Sequence, residues 1–376
     1  MMTIYFPGKL VFGNGVIGGL VEEVLRLAPQ RVFVLTIEPL VDLVRSFDFE
    51  GISVTIYTGI VAEPSYEDFY EVMRDAEAFD PDVIIGIGGG SVLDLAKMVA
   101  AQLGNEQGLD QWVGIGLLKG RARKLVCVPT TSGTGSEVSP NAILVDGRDN
   151  QKKGFISPFL VPDIVYVDPL LTVSVPPAIT AATGLDALTH CLEAYTNKFA
   201  QPFIDMYAFE GMRLIAANLV RAVKQGDDGE ARSQVAMGSL LGGFCLGPVN
   251  TAAVHALSYP LGSSYHLPHG LSNALLLPYV MAFNIPAAVD RYADVAVALG
   301  CDRDGDAMAT ALKGVEKIRQ LIRECGIPAT LREVGIAQEA IPGMAADAMK
   351  IVRLLKNNPR PVGLEDAIGI YKSAYE

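Results

Sequence analysis

The feature that most constrains this chain is a change of pattern at Pro176-Pro177. Before it, short apolar runs rich in β-branched residues alternate with helical stretches. The runs are Arg31–Thr36 (RVFVLT), Ile52–Tyr57 (ISVTIY), Asp82–Gly88 (DVIIGIG), Lys124–Pro129 (KLVCVP) and Ile164–Val167 (IVYV). Strands that are apolar along their whole length belong to a sheet covered on both faces, and such sheets are mostly parallel. The stretches between them carry the helical period. In 16–28, Ile17, Leu20, Val21, Val24 and Leu25 form one stripe, and 65–79 and 91–103 read the same way. After Pro177 the strand signals nearly vanish. Helical patterns follow at about 178–197, 202–224, 229–246, 270–283, 305–325 and 363–375. Pro202, Gly226, Pro248, Pro286, Gly326, Pro342 and Pro359 punctuate them. The expected organisation is an α/β domain over 1–176 followed by an all-α domain over 177–376.

Composition narrows the function classes. The 376 residues are 50% apolar and 19% charged, which describes a folded chain with ample core. A net charge of −12 opposes binding to a phosphate backbone, so nucleic acid is not an expected partner. No apolar run reaches the roughly 18–20 residues of a membrane span. The opening MMTIYFPGKLVFG lacks the basic region, apolar core and cleavage site of a secretory leader. Cys127, Cys191, Cys245, Cys301 and Cys325 are widely spaced with no CxxC pair, as expected of thiols in a reducing cytosol. The expected location is cytoplasmic.

The chain has only four histidines, His190, His255, His266 and His269, all inside one eighty-residue window. Asp186 and His190 stand four apart in a helical run, and residues so spaced share a helix face. His255 and His269 are separated by a segment that Pro260, Gly262, Pro268 and Gly270 break up. A helix, a turn and a second helix there would return both imidazoles to the first pair. One carboxylate and three imidazoles make an ordinary set for a divalent transition metal. Singly, each of these residues is more often a satisfied core or surface group than a ligand.

Two loops carry phosphate-binding signals. In VIIGIGGGSVLDLAK, residues 83–97, a buried strand meets a helix through Gly88, Gly89 and Gly90. Such a turn lets backbone approach a ligand closely, and the helix opened by Ser91 offers free N–H groups to an anion. It differs from the usual G-x-G-x-x-G on a first strand, and a plain strand-to-helix turn is its ordinary alternative. In PTTSGTGSE, residues 129–137, Thr130, Thr131, Ser132, Thr134 and Ser136 present five hydroxyls after another buried strand. Open α/β sheets bind ligands at the carboxyl ends of their strands. A dinucleotide and a metal on opposite walls of an interdomain cleft would suit hydride transfer.

These stretches, in this order, resemble the iron-containing (group III) alcohol dehydrogenases. The matching pieces are FPGKLVFGNG at 6–15, GGGSVLDLAK at 88–97, PTTSGTGSEV at 129–138, GLDALTHCLEAY at 184–195, and the His255 to His269 segment ending PHG. The resemblance covers nearly the whole chain. It implies a Rossmann-like α/β domain followed by an all-α domain, similar to dehydroquinate synthase. It implies Asp186, His190, His255 and His269 as metal ligands, with Fe2+ the usual ion and Zn2+ the alternative. It implies Gly88, Gly89, Gly90, Ser91, Asp94 and the Thr130-Thr131 loop, with Thr134 and Ser136, as the cofactor site. Lys153 falls where the family often has a lysine near the cofactor. The implied activity moves a hydride between NAD or NADP and a small alcohol, diol or hydroxy acid, in a homodimer or larger homo-oligomer.

Two positions depart from the family pattern. Tyr259 stands four residues after His255, where many members have a histidine assigned to proton relay. Ile37, followed by Glu38, stands where many NAD-using members have an aspartate facing the adenosine ribose. His266 has no counterpart among the ligands and reads as a loop residue. Three other readings compete. A maleylacetate reductase would not need the metal, and Asp186 argues against it. A dehydroquinate synthase-type lyase shares the fold, and the Asp/His/His/His set argues for the dehydrogenases. A non-catalytic ligand-binding protein would fail a metal assay and an NADH turnover test.

Overall fold

The computed structural model describes residues 2–148 and 151–376. By its contacts the chain forms two compact units, Ile4–Thr131 with Gly135–Val173, and Ser174–Glu376 with Ser132–Thr134 and the N-terminal tip.

The first unit is built on a six-stranded sheet. Its strands are β1 (Lys9–Phe12), β2 (Arg31–Leu35), β3 (Ser53–Tyr57), β4 (Val83–Gly88), β6 (Lys124–Pro129) and β9 (Ile164–Val167), with β5 (Gly114–Ile115), β7 (Asn141–Asp146) and β8 (Gln151–Ile156) outside it. The order is β1-β9-β6-β4-β2-β3, and every pairing is parallel. The helices are α1 (Leu20–Leu25), α2 (Val41–Arg45), α3 (Tyr66–Phe79) and α4 (Gly90–Gln102). Val32, Val34, Ile85, Ile87, Val126 and Val128 pack with Leu20 and Val24 in one core layer. Phe33 and Ile84, on the opposite face, are equally buried, which is why these strands are apolar throughout. Strand β1 was not expected from the sequence. It is a short edge strand whose first two residues are exposed, so it lacks an apolar pattern. Nor was the small sheet β5-β8-β7, in which β7 and β8 pair antiparallel. The polar run QKKGFI of β8 hides its strand character.

The second unit is helical: α5 (Pro177–Thr196), α6 (Pro202–Lys224), α7 (Gly229–Leu246), α8 (Ala253–Tyr265), α9 (His269–Asn284), α10 (Val289–Ala298), α11 (Ala307–Glu324), α12 (Ile341–Ala348), α13 (Val352–Leu355) and α14 (Leu364–Tyr375). Helix α5 starts with Pro177 at a position where the missing N–H is harmless, and from Gly184 to Thr196 it is buried on every side. It is the central helix of the unit. Helices α10, α12 and α13 were not anticipated. Pro342 reads as a break but lies in the first turn of α12, where proline is tolerated. Pro260 and Gly262 likewise do not break the chain and lie inside α8. His266 ends α8 in the left-handed conformation (φ 54°), beyond the last helical turn. No helix among the described residues is long and apolar enough to cross a membrane.

Candidate active site

Strand β4 delivers Gly88, and Gly89 caps α4 without any side-chain hydrogen bond. The first N–H groups of α4 therefore have no side chain of the cap residue competing for them, a suitable seat for an anion. A Cβ at Gly88 would meet Val92 Cγ2 at 2.5 Å, so this glycine lets α4 pack against its own strand. A Cβ at Gly89 would crowd Thr131 Oγ1 at 3.3 Å, so this one keeps the turn open beside the threonine loop. The Thr130 N–H donates to Gly88 O (3.0 Å) and ties the two loops together. Thr134 falls in the short Ser132–Thr134 stretch that groups with the helical unit.

Asp94 and Ser136 are brought together. The Ser136 hydroxyl and the Ile143 N–H (2.9 Å) donate to the two carboxylate oxygens of Asp94. One turn on, buried Lys97 donates to Ser139 O (2.9 Å) and Asn141 O (2.7 Å). Helix α4 thus grips the segment that follows the threonine loop. Glu137 is buried in the same place, and burial pushes its carboxyl up to about 7. Lys153 lies on β8 with its ammonium 3.9 Å from Asp146. Its neighbour Lys152 pairs with Glu63 (2.6 Å), whose N–H donates to Ser91 Oγ (3.2 Å). Nothing local marks Lys152 or Glu63, since their pairing joins residues 89 apart.

In the helical unit the four expected ligands converge. Asp186 and His190 come from one face of α5, His255 from the first turn of α8, and His269 opens α9. One oxygen of Asp186 lies 3.7 Å from His190 Nε2, 3.6 Å from His255 Nε2 and 3.6 Å from His269 Nε2. All four ligand atoms lie within 4.8 Å of one another. Gly270 makes this possible: a Cβ there would meet Ala182 O at 2.2 Å, so only glycine lets α9 approach α5 this closely. His190 and His255 stack at 4.8 Å between centroids.

The donor set fits a divalent ion. Tetrahedral bonds of about 2.0–2.2 Å put neighbouring ligand atoms about 3.3–3.6 Å apart, close to the spacings around Asp186. Three of the four side chains are buried and His269 is partly exposed. Burial opposes the charged form of Asp186, but the imidazoles, His190 first, hold its carboxyl well below the usual range. Burial also opposes the His255 imidazolium, yet the Glu193 and Asp186 carboxylates outweigh it and raise the ring to about 10. Burial keeps His190 below its ordinary value, against the pull of the Asp186 carboxylate. Such a cluster, one ionised carboxylate oxygen facing three imidazole Nε2 atoms, is what a cation would complete.

Sequence reading missed three neighbours of this cluster. Glu193, one further turn along α5, accepts from His255 Nδ1 (2.6 Å), Val254 N (2.6 Å) and Ala252 N (3.0 Å). It caps α8 and leaves His255 Nε2 as the atom facing the cluster. Asn273, one turn after His269, donates from Nδ2 to Asp186 Oδ1 (2.7 Å). Arg353 on α13 reaches Tyr259 Oη at 3.5 Å, and the Tyr259 ring lies 6.2 Å from that of His269.

Comparison with known proteins bears on the whole chain. Residues 7–169 match the family model for iron-containing alcohol dehydrogenase, and residues 180–375 match that for the C-terminal part of the Fe-containing alcohol dehydrogenase family. The sequence is 39% identical to long-chain-alcohol dehydrogenase 1 of Geobacillus thermodenitrificans, over 99% of this chain and 96% of the relative. The fold superposes on a crystal structure of a 1,3-propanediol oxidoreductase with TM-score 0.96 and 33% identity, covering 100% of both chains. A sulfoacetaldehyde reductase from Bifidobacterium kashiwanohense, solved in complex with NAD+, superposes with TM-score 0.89 and 26% identity, over 100% of this chain and 98% of that one. This chain belongs to the iron-containing alcohol dehydrogenase family and is an oxidoreductase of the alcohol dehydrogenase or aldehyde reductase kind.

Proposed function

We propose that Asp186, His190, His255 and His269 hold one divalent ion, Fe2+ ahead of Zn2+, and that the β4–α4 turn and the threonine loop hold NAD. The observation that carries this reading is the convergence of four ligand atoms within 4.8 Å. An ion there supplies a Lewis acid to a substrate oxygen, and the nicotinamide supplies the hydride acceptor or donor. Asp186 and the three imidazoles bind and orient. Glu193 holds the His255 ring by its Nδ1. The α4 N-terminus and Gly89 seat the pyrophosphate, with Ser91, Thr130 and Thr131 as hydroxyl contacts. Asp94, Ser136 and Lys97 hold the loop in shape, and Lys153 supplies positive charge close to it.

NAD is favoured over NADP by Glu38. It follows β2, the neighbour of β4, and its Oε1 accepts from Thr58 Oγ1 (2.5 Å) just past β3. A carboxylate at that place accepts from a ribose hydroxyl and repels a 2′-phosphate. The relatives named above act, by their names, on a long-chain alcohol, a terminal diol and an aldehyde. A primary alcohol, or the matching aldehyde, is therefore the substrate class. The five free thiols fit work in the cytoplasm, and the family habit fits a homodimer or larger assembly. The test is a screen of primary alcohols and aldehydes with NAD(H) and NADP(H) on Fe2+- and Zn2+-loaded protein. Turnover with NAD(H), dependent on metal, is expected. No turnover of any of them at full loading would refute the reading.

A further inference from the structure

Asn273 has no side chain to coordinate with strength and no place in the ligand set, yet it sits among the ligand atoms. It is completely buried. Its Nδ2 lies 2.7 Å from Asp186 Oδ1, 3.1 Å from His255 Nε2 and 3.3 Å from His269 Nε2. Its Oδ1 is buried with no hydrogen-bond partner. The amide orientation follows from chemistry, because an oxygen placed 2.7 Å from the Asp186 carboxylate would be repelled by it. A buried amide left half satisfied is unusual and calls for a reason.

We propose that Asn273 is a positioning residue for the metal centre: its amide fixes which oxygen of Asp186 faces the three imidazoles, and so sets the affinity of the site for its ion. The inference rests on the metal reading of the four ligands. The terminal torsion of an aspartate is broad and roughly two-fold, so an unrestrained carboxylate can turn either oxygen inward or lie edge-on. Oδ1 stands 3.6–3.7 Å from the three Nε2 atoms, and it is Oδ1 that Asn273 holds. The donor is neutral, so it orients the carboxylate without taking up its charge, which stays available to a cation. The restraint is itself built in. His269 and Asn273 are one turn apart on α9, and the absence of a side chain at Gly270 lets that face reach α5. Glu193 does the same for His255 through its Nδ1 with a charged acceptor, so two of the four side chains are held in orientation by neighbours.

The test uses the full-length, metal-free protein and Co2+ as the probe, with chelator competition for the Kd and the d–d absorption bands as the signature of coordination. Asn273→Leu keeps the branched shape and removes the donor, and Asn273→Ala removes both. Weakening of Co2+ binding by about 10–100-fold in both variants is expected, with altered d–d bands and an unchanged Kd for NADH. If Asn273→Leu does not fold, Asn273→Ala alone decides. Wild-type affinity and bands in a folded variant would overturn the proposal. A wild-type protein that takes up no Co2+ would instead refute the metal reading beneath it.

Discussion

The cluster around Asp186 is built from side chains, and the turn at Gly88-Gly89-Gly90 is built from backbone. The first region brings four polar side chains into a mostly buried space, where each must be satisfied by the others or by an ion. The second removes side chains so that N–H groups at the start of α4 remain accessible. Both depend on supports that do not touch a ligand. Glu193 and Asn273 hydrogen-bond the clustered His255 and Asp186, while Asp94 and Lys97 anchor the segment after the threonine loop. The difference teaches where each region is fragile. A side-chain site fails when a ligand turns, and a backbone site fails when a Cβ appears.

The two regions also treat a buried carboxyl in opposite ways, which gives the largest expected effect. Among its imidazoles Asp186 is held ionised, whereas burial pushes Glu137, under the threonine loop, up to about 7. The ordinary glutamate value is near 4.5. Between those values the folded protein keeps a proton that the unfolded chain has released. The stability contributed is present below the lower value and is lost as pH rises through the upper one. It amounts to about 3 kcal/mol over this window. Denaturant melts of wild type and Glu137→Gln at pH 5 and pH 8 should show the decline in wild type and a shallower one in the variant. Equal declines would show that Glu137 is ionised throughout.

Gly270→Val should come next. Its side chain would press on Ala182 O and push α9 away from α5. Metal affinity should fall by about 50–100-fold, with NADH affinity retained. Isothermal titration with Zn2+ checks it, and an unchanged Kd would break the account of how α9 docks. Gly89→Val is the mirror image. It should weaken NADH binding by about 10–30-fold through crowding at Thr131, while metal content stays at wild type. Loss of both ligands in either variant would erase the contrast between the regions.

The smallest effect belongs to Tyr259. Tyr259 stands where many family members have a histidine, within reach of Arg353 and beside the His269 ring, and is not expected to pass an essential proton. Tyr259→Phe should lower kcat/KM by less than about tenfold, well short of the 10²–10⁴-fold typical of a general acid or base. A thousandfold loss at full metal loading would make the phenol the relay.

Much of this was legible in the chain. The parallel strands were visible because both their faces are buried, and the ligands because histidine is scarce and Asp186 and His190 share a helix face. Glu193 lies within the same stretch as those two, but its partner is 62 residues away, so nothing local marks it. Asn273 is an unremarkable asparagine until α9 docks on α5. The β7–β8 hairpin escaped notice because its lysines interrupt any apolar alternation, and α12 because Pro342 marks a start as well as a stop. Glu193 and Asn273 were missed because contacts distant in sequence fix what they do.

The most direct test of the central claim is to strip the metal and follow the two regions separately. Protein dialysed against a strong chelator, with metal content confirmed near zero, would be assayed for alcohol oxidation and for NADH binding by fluorescence. The account predicts that turnover is abolished and returns with Fe2+ or Zn2+, while the NADH Kd stays within about twofold. Full turnover by the stripped protein would contradict it.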